Sequence, residues 1–177
     1  MFYIVMMDFK SKIRDIPDFP QKGVVFRDIC PLLEDKLMFK EAINELLKKL
    51  KGLKIDKVVG VDARGFILAG ILANRLGAGM VMVRKKGKLP YKTESVEYDL
   101  EYGKSILEIH RDSIQKNEKV LLVDDVLATG GTMEATAKLV EKLGGKVIGA
   151  AFLIILDYLH GRERLKKYKL FTLVNYK

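Results

Sequence analysis

The chain has 177 residues, 49% hydrophobic and 31% charged, with a formal net charge of +9. That length fits one globular domain with a substantial core and is too short for two. No apolar run reaches the ~20 residues of a membrane span. Cys30 is the single cysteine, which excludes an internal disulfide and agrees with a reducing cytoplasm.

The start, Met1 to Met7, is apolar but short, with neither a basic flank nor a small-residue cleavage site. It reads as an N-terminal extension or packing arm, with Met6 and Met7 as alternative starts. Asp8 to Asp15 is expected to form a short helix ended by Pro17 and Pro20. Gly23 to Ile29 reads as a compact loop or short strand carrying an exposed aromatic, Phe26. Lys36 to Lys51 carries Leu37, Phe39, Ala42, Ile43, Leu46, Leu47 and Leu50 at helical spacing. Ile55 to Val61 is a β-branched strand, Phe66 to Leu76 a helix stopped at Gly77, and Met80 to Arg84 a further strand. Thr93 to Asp99 and Lys104 to His110 alternate about Tyr102-Gly103 as a hairpin would. Val120 to Val123, a helix from Met133 to Leu143, Gly144-Gly145 and Val147 to Leu156 make a strand–helix–strand unit, and Phe171 to Val174 is a last strand. Strands alternating with helices predict an α/β fold, a parallel sheet flanked by helices on both faces. Ligands of such sheets gather at the strand carboxyl ends, where Asp62, Arg84 and Asp124 fall.

The densest chemistry lies where Val120 to Val123 runs into Asp124-Asp125 and then Ala128-Thr129-Gly130-Gly131-Thr132. Paired glycines turn the backbone tightly and aim successive N–H groups at an anion. The threonines add hydroxyl donors, and the following helix adds its positive end. The carboxylates are placed to accept hydrogen bonds from sugar hydroxyls, so one loop suits a ribose 5-phosphate. No Gly-x4-Gly-Lys-Ser/Thr or Gly-x-Gly-x-x-Gly occurs here. An ordinary capped strand-to-helix turn needs neither adjacent acids nor paired glycines. Successive strand side chains face opposite ways, so both acids reach the sugar only if the strand has ended at Asp124.

This loop resembles that of the type I phosphoribosyltransferases, and the likeness covers nearly the whole chain. Phe19-Pro20 through Gly23-Val24-Val25-Phe26-Arg27-Asp28-Ile29, Asp62-Ala63-Arg64-Gly65-Phe66, Val83-Arg84-Lys85-Lys86-Gly87-Lys88-Leu89-Pro90 and Tyr98-Asp99-Leu100-Glu101-Tyr102-Gly103 carry the rest of it. The first and last of these blocks are similar to the family's adenine-using members. The resemblance implies a single domain over 1–177, with an N-terminal arm and base-binding hood over 1–34 and a flexible hairpin lid over 91–110. It implies transfer of the 5-phosphoribosyl group from phosphoribosyl diphosphate to adenine, giving AMP and diphosphate, as in purine salvage. Asp124 and Asp125 are then expected at the ribose hydroxyls, and Ala128, Thr129, Gly130, Gly131 and Thr132 at the 5-phosphate. Arg64, Arg84 and Lys88 are expected at the diphosphate, and Val25, Phe26 and Arg27 at adenine, where backbone groups read the base. Ala63 stands where many relatives carry serine, which removes a hydroxyl there. A magnesium ion is expected on the substrate diphosphate rather than in a protein cage. A homodimer and a cytoplasmic location are implied as well.

Glu101 is assigned the proton, as general acid or base beside the base nitrogen. Spacing alone would leave it a solvated hairpin charge like Glu94 or Glu97; the resemblance assigns the role. Closure of a lid would desolvate Glu101 and raise its pKa toward the useful range, while shielding the activated sugar from water. His110 and His160 have no partner pattern and receive no role. The positive charge invites a nucleic-acid reading. Lys48, Lys49, Lys51 and Arg162 to Lys169 read instead as solvated faces, without RNP-like aromatics, zinc spacing or a helix-turn-helix. No nucleic-acid or membrane partner is therefore expected, and a polyanionic substrate accounts for the Arg84–Lys88 cluster. Two alternatives stay open: a hypoxanthine or guanine enzyme, which would carry an acid where Leu127 stands, and a regulator that keeps the loop as a sensor and binds RNA.

Overall fold

The computed structural model describes residues 7–99 and 104–177. Glu101 lies outside the described residues, as do Leu100, Tyr102, Gly103 and the first six residues of the arm. The chain divides into two compact units, Met1–Glu45 and Leu46–Lys177.

In the first unit the expected helix over Asp8–Asp15 is replaced by a single 3-10 turn, Phe9–Lys12, followed by strand β1, Arg14–Pro17. Asp8 caps that turn, its carboxylate accepting from the N–H groups of Lys10 and Ser11. Beyond it the chain is drawn out by its partner strand β2, Val25–Asp28. The antiparallel register sets Arg14 opposite Asp28, Asp15 opposite Arg27 and Ile16 opposite Phe26. Opposite charges across a ladder favour the extended form over a helix, and Arg27 does form an ion pair with Asp15. A short helix that periodicity did not reveal, α1, Cys30–Glu34, follows with proline in its first turn. Helix α2, Lys36–Leu50, buries Ala42, Ile43, Leu46 and Leu50, the stripe its spacing predicts.

The second unit is built on a seven-stranded sheet. Its strands are β3 (Lys57–Val61), β4 (Gly79–Lys85), β5 (Thr93–Asp99), β6 (Lys104–His110), β7 (Lys119–Leu127), β8 (Lys146–Leu156) and β9 (Leu170–Tyr176). They run in the order β5-β6-β4-β3-β7-β8-β9. The pairs from β4 to β9 are parallel, and β6 joins β4 antiparallel through Arg84–Glu108 and Lys85–Leu107. The expected hairpin is present: β5 and β6 pair from Thr93–His110 to Asp99–Lys104. Helices α3 (Gly65–Leu76) and α4 (Gly131–Lys142) cross between parallel strands. Val59, Val61, Val81, Val83, Val120 and Leu122 share a buried cluster with Met133, Leu139 and Val140 of α4. The alternate residues face α3, and Gly60 approaches it so closely that an added Cβ would lie 2.7 Å from that of Ala69. Each buried Val or Leu contributes about 1.5–3 kcal/mol, so both faces of the central strands anchor the sheet. The chain after β8 adds a 3-10 turn, Asp157–Leu159, and a short helix α5, Gly161–Arg164, neither of them expected from the sequence, in which Arg162 to Lys169 reads as a solvated face.

Candidate active site

The carboxyl ends of β3, β4 and β7 bring three sequence blocks of the second unit together. Strand β7 does not stop at Asp124; it continues to Leu127. The condition for both acids facing the sugar directly is therefore corrected, because the intact ladder with β8 keeps the pleat running past them. Asp124 lines a cavity of about 90 Å³ shared with residues 126–133. Asp125 is buried and its Oδ2 lies 2.7 Å from Arg64 Nε. The Asp124 carboxylate also accepts from the Asp125 N–H at 2.9 Å. Burial, and next the neighbouring Asp125 charge, push the Asp124 carboxyl well above the usual aspartate range.

Ala128, Thr129, Gly130, Gly131 and Thr132 form the cavity wall as the sequence order suggests. Gly130 takes φ 85°, in the left-handed region, immediately before α4 begins at Gly131. The loop therefore turns straight into a helix N-terminus, whose unpaired N–H groups and dipole favour an anion. Thr136 Oγ1 donates to the Thr132 carbonyl at 2.8 Å, bracing that first turn.

Arg64 precedes α3, after an Asp62–Ala63 peptide bond in the cis form. Gly65 admits Asp124 beneath the helix start: a Cβ there would lie 2.9 Å from Asp124 Oδ1. Arg84, at the end of β4, donates from Nε to Asp62 Oδ2 at 2.8 Å and from Nη1 to the Lys88 carbonyl at 3.1 Å. Lys88 itself is exposed. The turn between them is held by Glu108, a buried carboxylate that accepts from the Gly87 N–H at 2.9 Å.

In the first unit, Val25 is exposed and Phe26 half-buried, its ring edge-on to exposed Phe19 at 5.2 Å between centroids. Gly23, at φ 87°, closes the turn by donating its N–H to Asp18 at 2.6 Å.

Two residues escaped sequence reading, and the partner of Asp62 did too. Asp62 meets Arg84 across the β3–β4 pair, and Glu108 reaches the turn at Gly87 through the pairing of β4 with β6. Gly161 packs against the loop from behind, where an added Cβ would collide with the Ala128 carbonyl oxygen. Its one sequence signal is a glycine following His160, which takes φ 55°.

A family profile for the phosphoribosyl transferase domain matches residues 33–176. The adenine phosphoribosyltransferase of Thermotoga petrophila is 57% identical over 170 residues, covering 96% of this chain and all of that one. That of Desulfosudis oleivorans is 53% identical over 96% of this chain and 98% of its own. The crystal structure of the adenine phosphoribosyltransferase of Thermoanaerobacter pseudethanolicus superposes with a TM-score of 0.93 at 50% identity, over 95% of this chain and 98% of that one. That of the Saccharomyces cerevisiae enzyme, complexed with an imino-altritol bisphosphate and adenine, gives 0.88 at 37% identity, over 93% and 96%. With its fold and nearly its full length in common with these proteins, the chain belongs to the phosphoribosyltransferase family, in its adenine phosphoribosyltransferase branch.

Proposed function

We propose that the chain transfers the 5-phosphoribosyl group from phosphoribosyl diphosphate to adenine, forming AMP and releasing diphosphate. The observation that carries this reading is the joining of a helix-start glycine loop and Asp124 around one cavity. Residues 128–132 take the 5-phosphate. Asp124, which lines the cavity, takes the ribose hydroxyls, and Asp125, turned the other way by the continuing strand, serves the site by holding Arg64. Arg64, Arg84 and Lys88 take the diphosphate, and Val25, Phe26 and Arg27 take adenine, with the Phe26 ring as the stacking face. Glu101 handles the proton of the base.

The reaction moves positive charge onto the sugar as diphosphate leaves. The chain's task is to hold two reactants in line, which supplies about 7–11 kcal/mol when geometry is tight. Magnesium is proposed as a companion of the diphosphate, where it supplies charge neutralisation. Among the described residues no group of three or more His, Cys, Asp or Glu side chains is placed to hold an ion.

Residues 1–177 are read as one functional domain, with 1–34 as arm and hood and 91–110 as lid, working in the cytoplasm. A homodimer is proposed too, on the family resemblance, and is checked by light scattering.

The test of the activity is a base panel with phosphoribosyl diphosphate and magnesium. AMP formed selectively from adenine is the expected result. Nucleotide from hypoxanthine or guanine instead would reassign the base, and none from any base would overturn the reading. In the same assay Glu101→Gln is expected to lower turnover about 10²–10⁴-fold.

A further inference from the structure

We infer that Gly161 is a positioning residue for the glycine loop, setting the directions of its N–H groups by laying a second backbone directly against it. The inference rests on the reading that residues 128–132 hold the 5-phosphate.

Each of two glycines occupies the space the other leaves by lacking a side chain. A Cβ on Gly130 would lie 2.7 Å from the Gly161 carbonyl oxygen and 3.2 Å from its Cα. A Cβ on Gly161 would strike the Ala128 carbonyl oxygen and lie 3.1 Å from Gly130 N. These neighbours are backbone atoms, which have no rotamer by which to yield. The loop thus has a cavity on one side and a peptide backing on the other; the cavity wall, residues 124 and 126–133, does not include residue 161.

The backing segment is fixed from elsewhere. Arg162 donates from Nε to Asp157 at 2.5 Å and from Nη2 to Asn175 of β9 at 2.7 Å. Arg164 reaches Glu134, in the first turn of α4, at 3.1 Å. Leu165 is fully buried in the main apolar cluster. These contacts tie the backing segment to β9, to the first turn of α4 and to the apolar cluster. Loops that bind phosphate through N–H groups depend on the aim of those groups, and a misplacement on the order of 1 Å can cost about 10²-fold in rate.

The test compares Gly161→Ala with wild type and with Gly149→Ala. Gly149 offers a matched control: a Cβ there would lie 2.8 Å from the Lys169 carbonyl oxygen, in the part of β8 beside Leu121. Ribose 5-phosphate and diphosphate, added separately, report the loop and the cation cluster by thermal shift. In Gly161→Ala we expect the ribose 5-phosphate shift to vanish and the diphosphate shift to persist. The KM for phosphoribosyl diphosphate should rise about 10–10²-fold while that for adenine changes less than about twofold. Gly149→Ala should melt lower but keep both shifts.

Equal ribose 5-phosphate shifts in wild type and Gly161→Ala would overturn the inference alone. Loss of both shifts in both variants would overturn it too, as a general loss of structure. A wild type unmoved by ribose 5-phosphate would overturn the loop reading and this inference with it. Should Gly161→Ala not yield folded protein, Arg162→Ala loosens the same segment from outside. A smaller, selective loss of the ribose 5-phosphate shift is then expected, and wild-type behaviour would overturn the inference.

Discussion

Around residues 128–132 the groups offered to an anion are backbone N–H groups at a helix start, held by the left-handed Gly130 and backed by Gly161. Around Arg64 and Arg84 they are guanidiniums on side chains, each already engaged by a carboxylate, Asp125 at 2.7 Å and Asp62 at 2.8 Å. Under the proposed assignment, the first region would meet its anion with little rearrangement, and the second would exchange one set of partners for another. A neutral backbone cradle gives directional selectivity at low reorganisation, and a parked ion pair gives strong but salt-screened attraction. The division suits a substrate whose 5-phosphate stays throughout while its diphosphate must depart.

The comparison breaks most severely at Gly130. Gly130→Val would force a β-branched residue into φ 85° against the Gly161 carbonyl, and kcat/KM is expected to fall on the order of 10²–10³-fold. Next comes Arg84→Ala, which removes a charged donor worth about 1.5–3 kcal/mol and should lower kcat/KM about 10–10²-fold. Raising salt in the wild type should weaken diphosphate binding more than ribose 5-phosphate binding, measured by calorimetry. A smaller effect, opposite in sign, is expected for Asp62→Asn. Freeing Arg84 from a partly exposed pair worth about 0–1 kcal/mol should tighten diphosphate binding by up to about fivefold. Looser binding would show that Asp62 aims Arg84 rather than competing for it.

The smallest signal concerns Asp124. Burial and Asp125 hold its carboxyl above the ordinary range. Between that ordinary value, about 3.9, and its raised one, the folded state binds more protons than the unfolded. Stability therefore falls as pH rises through that window. Asp124→Asn keeps an acceptor for the Asp125 N–H and removes the charge. The ligand-free variant should melt above wild type at pH 7 to 8, with the gain gone below about pH 4. Turnover should fall in the same variant, separating stability from function.

Much of this architecture was legible in the residues. Strand–helix alternation, the α2 stripe, the Thr93–His110 hairpin and the loop after Asp125 all follow from periodicity and turn chemistry. What was not legible depended on partners far along the chain. Arg14–Pro17 is extended because β2 supplies complementary charges. Strand β7 runs past its acids because β8 continues alongside it. Asp62 is placed by the sequence but its pairing with Arg84 is not, Glu108 acquires meaning through the pairing of β6 with β4, and Gly161 through a backbone contact that leaves no compositional mark.

The strand order has a consequence for how the molecule comes together. Lys57 of β3 pairs with nearby Gly79 and with the much more distant Val120. The β3–α3–β4 unit can close on itself early, whereas docking β7 encloses a far longer stretch of chain and is the slower event. Asp62 and Arg64 belong to the first piece, and Asp124 with the glycine loop to the second. A half-assembled chain therefore has no complete pocket. Substrate discriminates against every such intermediate and, at a hundred times its Kd, adds about 2.7 kcal/mol to the finished molecule alone.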